Sequence, residues 1–240
     1  MTPTLTSAGL VIDWANMPTY NTVMSVAAGA GLLLVVGLGR QLLRSDAELS
    51  TEGYAMAFGV LGVILTTTGL HMSLTWPLAP GGFAFDNIIF GEPSLAFGVL
   101  LLFASFYLWR RGEEIAASTD RVRSIARVGR PVSVFVLGMG LGCIGIAFAG
   151  VTYQLFAAPP EEPISGAFAE YPLMEAIFIS ALYALVGIGA ILFPFALRKA
   201  AAGALATIIG ICWGISGALF LLFGALNFFT HIGLIVNTME

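Results

Sequence analysis

Apolar residues run in long blocks along this chain, and short polar stretches separate the blocks. A bilayer-crossing helix needs about 20 mainly apolar residues, and the blocks predict six such helices over about 20–39, 54–76, 92–109, 131–154, 172–197 and 202–228. The expected fold class is therefore all-α: a single polytopic transmembrane bundle occupying 1–240, with both termini on the outer side. Boundary residues agree. Trp14, Trp76 and Trp109 fall at expected span ends, where an indole favours the headgroup level. Pro77, Pro80, Pro131, Pro159, Pro160 and Pro172 also fall at span ends, where a missing N–H does little harm. Pro194, inside the fifth span, is the exception.

Charge orients the bundle. All ten Lys and Arg residues lie within 40–52, 110–130 and 198–199. Loops rich in these residues stay in the cytoplasm, so the expected location is the cell membrane, with acidic loops facing out. The basic stretches also hold Asp46, Glu48, Glu52, Glu113, Glu114 and Asp120, for a net +4; everything else carries −8 and no cation. Composition excludes a soluble domain: 58% of residues are hydrophobic, 10% are charged and mean hydropathy is +0.93. The first twenty residues lack a basic n-region and a small-residue cleavage site, so the first span is expected to direct insertion itself. The segment 110–130 can be read as an amphipathic helix on the inner leaflet, although orientation alone accounts for its arginines.

Two hairpins look alike. Phe85 precedes Glu92 by the same spacing that separates Phe168 from Glu175, which suggests parallel repeats, with the sixth and first spans as a circularly permuted third unit. Glycines inside the spans, notably Gly138, Gly140, Gly142 and Gly145 in the fourth and Gly210, Gly214 and Gly217 in the sixth, allow close helix approach.

Candidate chemistry gathers at the outer side. His71 and His231 are the two histidines, and Glu92 and Glu175 open the third and fifth spans. Ionisable groups in membrane spans usually face a bundle interior or cavity, so His71, Glu92, Glu175 and His231 are the expected site. Asp86 or Glu170 would serve as supporting groups or sit at its mouth. Imidazole and carboxylate ligands suit a transition metal, and nearby Met72 and Met174 favour copper over iron or zinc. Each glutamate is also explained by the positive end of its own helix. A redox role would require copper or iron. An alternative cofactor is one b-type haem between His71 and His231.

Other chemistries are disfavoured. The sole lysine, Lys199, lies in a loop and cannot form a retinal Schiff base; no nucleotide-binding motif follows a strand, and no nucleic-acid partner is expected. Cys143 and Cys212 lie in apolar runs without a C-x-x-C pair and read as packing residues. A different class of function is a non-catalytic accessory subunit of a larger membrane complex or homo-oligomer, its remaining surface facing lipid. A proton-coupled carrier would need charge nearer the bilayer midplane.

The run His-Met-Ser-Leu-Thr-Trp-Pro-Leu at 71–78, with Asn-Ile-Ile-Phe-Gly-Glu-Pro-Ser-Leu-Ala-Phe-Gly at 87–98, resembles a domain-of-unknown-function family of small prokaryotic polytopic membrane proteins. The resemblance places His71, Trp76, Pro77, Glu92 and Pro93 in one recurring unit and implies no activity.

Overall fold

The computed structural model describes residues 12–17, 19–44, 49–76, 84–199 and 203–239. Asp46, Glu48, Pro77, Pro80 and Glu240 lie outside the described residues. Among the described residues there are six long helices and no strand: α1 (Asn21–Leu43), α2 (Thr51–Leu74), α3 (Glu92–Ala116), α4 (Arg121–Tyr153), α5 (Pro172–Lys199) and α6 (Ala204–Thr238). All six are long and apolar enough to cross a membrane, and the chain is a multi-pass membrane protein.

Several helices outrun the sequence boundaries. At 1.5 Å per residue α4 and α6 reach about 50 Å, well beyond a hydrocarbon core of about 30 Å. The alternative reading of 110–130 as an amphipathic surface helix finds no separate element there. Instead α3 continues to Ala116, a short turn follows, and α4 starts at Arg121 and passes Pro131 without a break. Asp120 caps α4 by accepting from Arg123 N at 2.9 Å. Ile115 and Ala126 are buried, and Ile125 of α4 packs against the core cluster that holds Ile115 of α3, so this segment stands up rather than lying flat. Arg130 donates to the Leu197 and Arg198 carbonyls at the end of α5, supplying a cation where that helix leaves acceptors unpaired. All cations of the chain lie at this basic end; the opposite end is acidic.

The helices form three antiparallel pairs, α2 with α3, α4 with α5, and α6 with α1, and one set of glycine contacts recurs in each. A side chain on Gly62 would strike the Gly98 carbonyl and Leu102; on Gly140, the Gly187 carbonyl and Ile191; on Gly217, the Gly29 carbonyl and Leu33. The reverse contacts match, because Gly98 faces Thr66, Gly187 faces Ile144 and Gly29 faces Leu221. In every pair the partner of one glycine sits four residues beyond the other glycine. The threefold repeat with a permuted third unit is therefore present in the packing. Its register differs from the sequence expectation. Measured from the central glycines Gly98 and Gly187, Glu175 corresponds to Asp86, to within a residue, and not to Glu92.

Lipid offers no hydrophobic drive for helices to associate, so this close backbone approach is what holds each pair. Overpacking a tight contact typically destabilises by about 1–3 kcal/mol. Gly140→Ala should lower the melting temperature of the purified protein by several degrees, whereas Gly142→Ala, whose added carbon meets nothing within 4 Å, should leave it unchanged. Equal melting of both variants would remove the assigned role of the glycine contacts.

Candidate functional site

The acidic end of the bundle is built from the starts of α3 and α5, the end of α6 and the connection between α4 and α5. Upstream of α3 the chain is already helical: Asp86 leads into a π-helical turn, Asn87–Gly91, that runs straight into α3. Such turns insert a residue, rotate what precedes them and are frequent at functional sites. Asn87 anchors the turn by donating its side-chain amide to the Met72 and Thr75 carbonyls, the latter at 2.6 Å, and so ties α3 to the end of α2. The buried Tyr183 hydroxyl of α5 donates to the Ile89 carbonyl at 2.6 Å, satisfying an acceptor that the widened turn exposes. Glu92 accordingly lies more than a turn inside a continuous helix and is exposed, so the expected helix-start role passes to Asp86.

The connection from α4 to α5 folds over the same end. Gln154 terminates α4 in the left-handed conformation, and Ile164, also at positive φ (69°), forms the centre of a three-residue turn closed by Ser165 N to the Pro163 carbonyl. A β-branched residue in that conformation is strained, typically by about 1–3 kcal/mol. The surroundings hold it in place. Glu175 accepts from Ala158 N at 2.7 Å, and Asn237 of α6 donates to the Glu161 carbonyl at 2.8 Å. Trp14 Nε1 donates to Thr238 Oγ1 at 3.1 Å, bringing the segment before α1 over the same end.

Beneath this cover lies one cavity of about 820 Å³, which extends from the acidic end to the α3–α4 extensions at the basic end. Its wall is apolar along most of its length. Asp86, Glu162, Glu175 and His231 line it at the acidic end only. His231 Nε2 stands 3.9 Å from Glu162 Oε1, with side-chain exposures of 21% and 10%. Burial pushes the Glu162 carboxyl up from its ordinary value. Asp86 is 6% exposed, and among the described residues it has no hydrogen bond or ion pair. Loss of hydration alone pushes its carboxyl up to about 7.

The four residues singled out from sequence separate into two groups. Glu175 and His231 share the cavity. His71 does not line it; the ring is exposed and its Nδ1 pairs with the Tyr20 hydroxyl at 2.7 Å, which satisfies the imidazole without a ligand. Glu92 does not line it either. Among the described residues no three His, Cys, Asp or Glu side chains are placed to hold a metal ion. Among the described residues the four expected ligands are thus not gathered at one point, and of the two histidines only His231 lines this cavity. His231 was expected just past the sixth span, but α6 continues beyond it to Thr238 and carries it over the cavity. Glu162, Asn87 and Tyr183 escaped the sequence reading, and Asp86 was given only a supporting part. Counting twelve residues back from the paired glycines would have found Asp86 beside Glu175.

Fold and site together define a polytopic α-helical membrane protein with three glycine-packed helix pairs around an apolar cavity that is acidic at one end. Residues 17–233 match the family described as Protein of unknown function (DUF981), and the chain belongs to that family. Comparison with curated proteins and with solved structures gives no match.

Protonation of Asp86 should be visible in stability. The carboxyl keeps its proton to about pH 7 when folded but releases it near 3.8 when unfolded, so the folded state binds more protons in between. The stability it contributes is complete below that lower value and is lost as pH rises through about 7. Asp86→Asn should raise the melting temperature at pH 8 and flatten its fall between pH 5 and pH 8; a melting curve at pH 8 no higher than wild type would contradict the desolvated carboxyl.

Proposed function

We propose that this protein binds an elongated apolar molecule taken from the bilayer, with its polar head at the acidic end. The observation that carries the reading is the cavity: about 820 Å³, inside the range of about 300–1,000 Å³ usual for ligand sites, and lined by carboxylates at one end only. Its shape suits a hydrocarbon body better than a small polar solute. Access from lipid is supported by the α3–α4 side, where Phe103, Val128 and Val132 both line the cavity and are exposed on the bundle surface. A molecule dissolved in the hydrocarbon could slide in there without crossing the headgroups.

A transition metal remains a narrower reading. Its support is the Glu162–His231 pair, one carboxylate and one imidazole, where structural and catalytic sites supply three or four ligands.

The test is occupancy. Protein purified in mild detergent should take up radiolabelled dodecanol in a saturable manner, and Ala104→Trp, which fills the wall midway along α3, should cut uptake at least fivefold without lowering the melting temperature. Non-saturable uptake that the variant leaves unchanged would end the proposal.

The membrane orientation belongs to the same proposal. The gathering of every Lys and Arg at one end of the bundle favours that end in the cytoplasm and the cavity's acidic mouth on the outer side of the cell membrane. In intact cells an impermeant maleimide should label a cysteine at position 160 but not one at position 118; the reverse pattern would invert the assignment.

A further inference from the structure

Three carboxylates line a cavity whose walls are otherwise largely apolar, at an end of the protein that has no Lys or Arg. A neutral occupant would gain no more than a hydrogen bond from them, through a hydroxyl or carbonyl head. Each carboxylate removed from water is instead a charge seeking a partner. Two have something. Glu175 accepts from the Ala158 amide, and Glu162 lies near His231. Asp86 has neither a hydrogen bond nor an ion pair among the described residues, although it is 6% exposed and lines the cavity. The groups beside it in the fold are already committed: the Asn87 amide to Met72 and Thr75, the Tyr183 hydroxyl to Ile89. The acceptor is left for whatever fills the space.

We propose that the occupant is a lipophilic cation, an alkyl or aromatic body carrying an ammonium-type head, and that the head docks against Asp86, Glu162 and Glu175 in exchange for protons. This rests on the cavity being a binding site for apolar molecules and names the class of molecule. The chemistry balances simply: a carboxylic acid releases its proton to the aqueous mouth, and the carboxylate formed pairs with the incoming charge. The titratable groups around the head come from every side. They are Glu162 from the α4–α5 connection, Glu175 and Tyr183 from α5, His231 from α6 and Cys143 from α4, while α1 and α2 add only neutral side chains. His231 is the one group there that could carry positive charge, so its protonation at low pH acts in the same direction as protonation of the acids. Asp86, whose carboxyl sits at about 7, is poised to exchange near neutrality.

Equilibrium binding of radiolabelled dodecyltrimethylammonium and dodecanol to the full chain in nanodiscs separates this idea from the one beneath it. The quaternary cation keeps its charge at every pH, so any pH dependence belongs to the protein. Its affinity should fall about tenfold from pH 8 to pH 6 as a group titrating near 7 takes up its proton, while dodecanol binding stays level. Asp86→Asn should weaken cation binding at pH 8 at least tenfold and abolish most of the pH dependence, and adding Glu175→Gln should weaken it further. The wild-type pH series stands whether or not a variant folds. Equal affinity for cation and alcohol at pH 8, or a pH-independent cation affinity, overturns the cation assignment and leaves the apolar binding site intact. Saturable binding of neither probe overturns both.

Discussion

Close approach of helix backbones at glycine governs this protein. In water an apolar stripe would drive two helices together, but lipid rewards burying Leu against Leu no more than leaving it in the bilayer. What remains is contact between surfaces that fit, and Gly62 on Gly98, Gly140 on Gly187 and Gly217 on Gly29 repeat one such fit. The repetition has a consequence for the whole bundle. Three pairs, each tightly closed within itself, pack against one another through larger side chains, and three stiff rods of that kind leave space along their common axis. The cavity is a product of how the pairs are locked.

Local backbone choices then decide what faces that space. A regular helix through 86–98 would present Asp86 at a different angle; the π turn Asn87–Gly91 changes it, and Asn87 and Tyr183 hold the turn by hydrogen bonds to backbone carbonyls on α2 and within the turn. At the same end the strained Ile164 turn and the Ala158–Glu175 bond fold the α4–α5 connection over the mouth. Fixed groups converge on the acidic end from four directions. Between α3 and α4 the cross-link lies at the basic end, where Arg121 donates to the Ala116 carbonyl.

The large-scale architecture was legible in the sequence because it depends on apolar length and charge placement, which are additive along the chain. Six helices, their order and the concentration of cations at one end needed no knowledge of contacts. Helix ends were less legible: α6 runs on past Phe228 to meet the α4–α5 connection, where Asn237 donates to the Glu161 carbonyl, and α4 begins ten residues early, where Ile125 packs against the cluster that holds Ile115. The repeat was read in the wrong register since Glu92 and Glu175 look alike, whereas the contacts are dictated by small residues, whose side chains carry no chemical signal. His71 illustrates the remaining gap. Nothing in its neighbours in sequence reveals that Tyr20, fifty-one residues earlier, satisfies its ring.

Helix dipoles offer a simpler account of the acidic residues, and magnitudes limit it. Asp86 and Glu175 both sit at helix starts, where the positive end of a helix favours an anion by about 0.3–1 kcal/mol, and up to about 2 kcal/mol when partly buried. Removing an ion from water costs several kcal/mol even after the protein relaxes. For Glu175, a backbone amide donor narrows the difference. For Asp86, 6% exposed and without a donor, the dipole is too small to hold the charge, and the carboxyl's position at about 7 expresses that deficit. The group is therefore either protonated or paired with something that enters the cavity. Both states are accessible near neutral pH, and only a side chain left this incompletely stabilised by its own fold can pass between them as an occupant comes and goes.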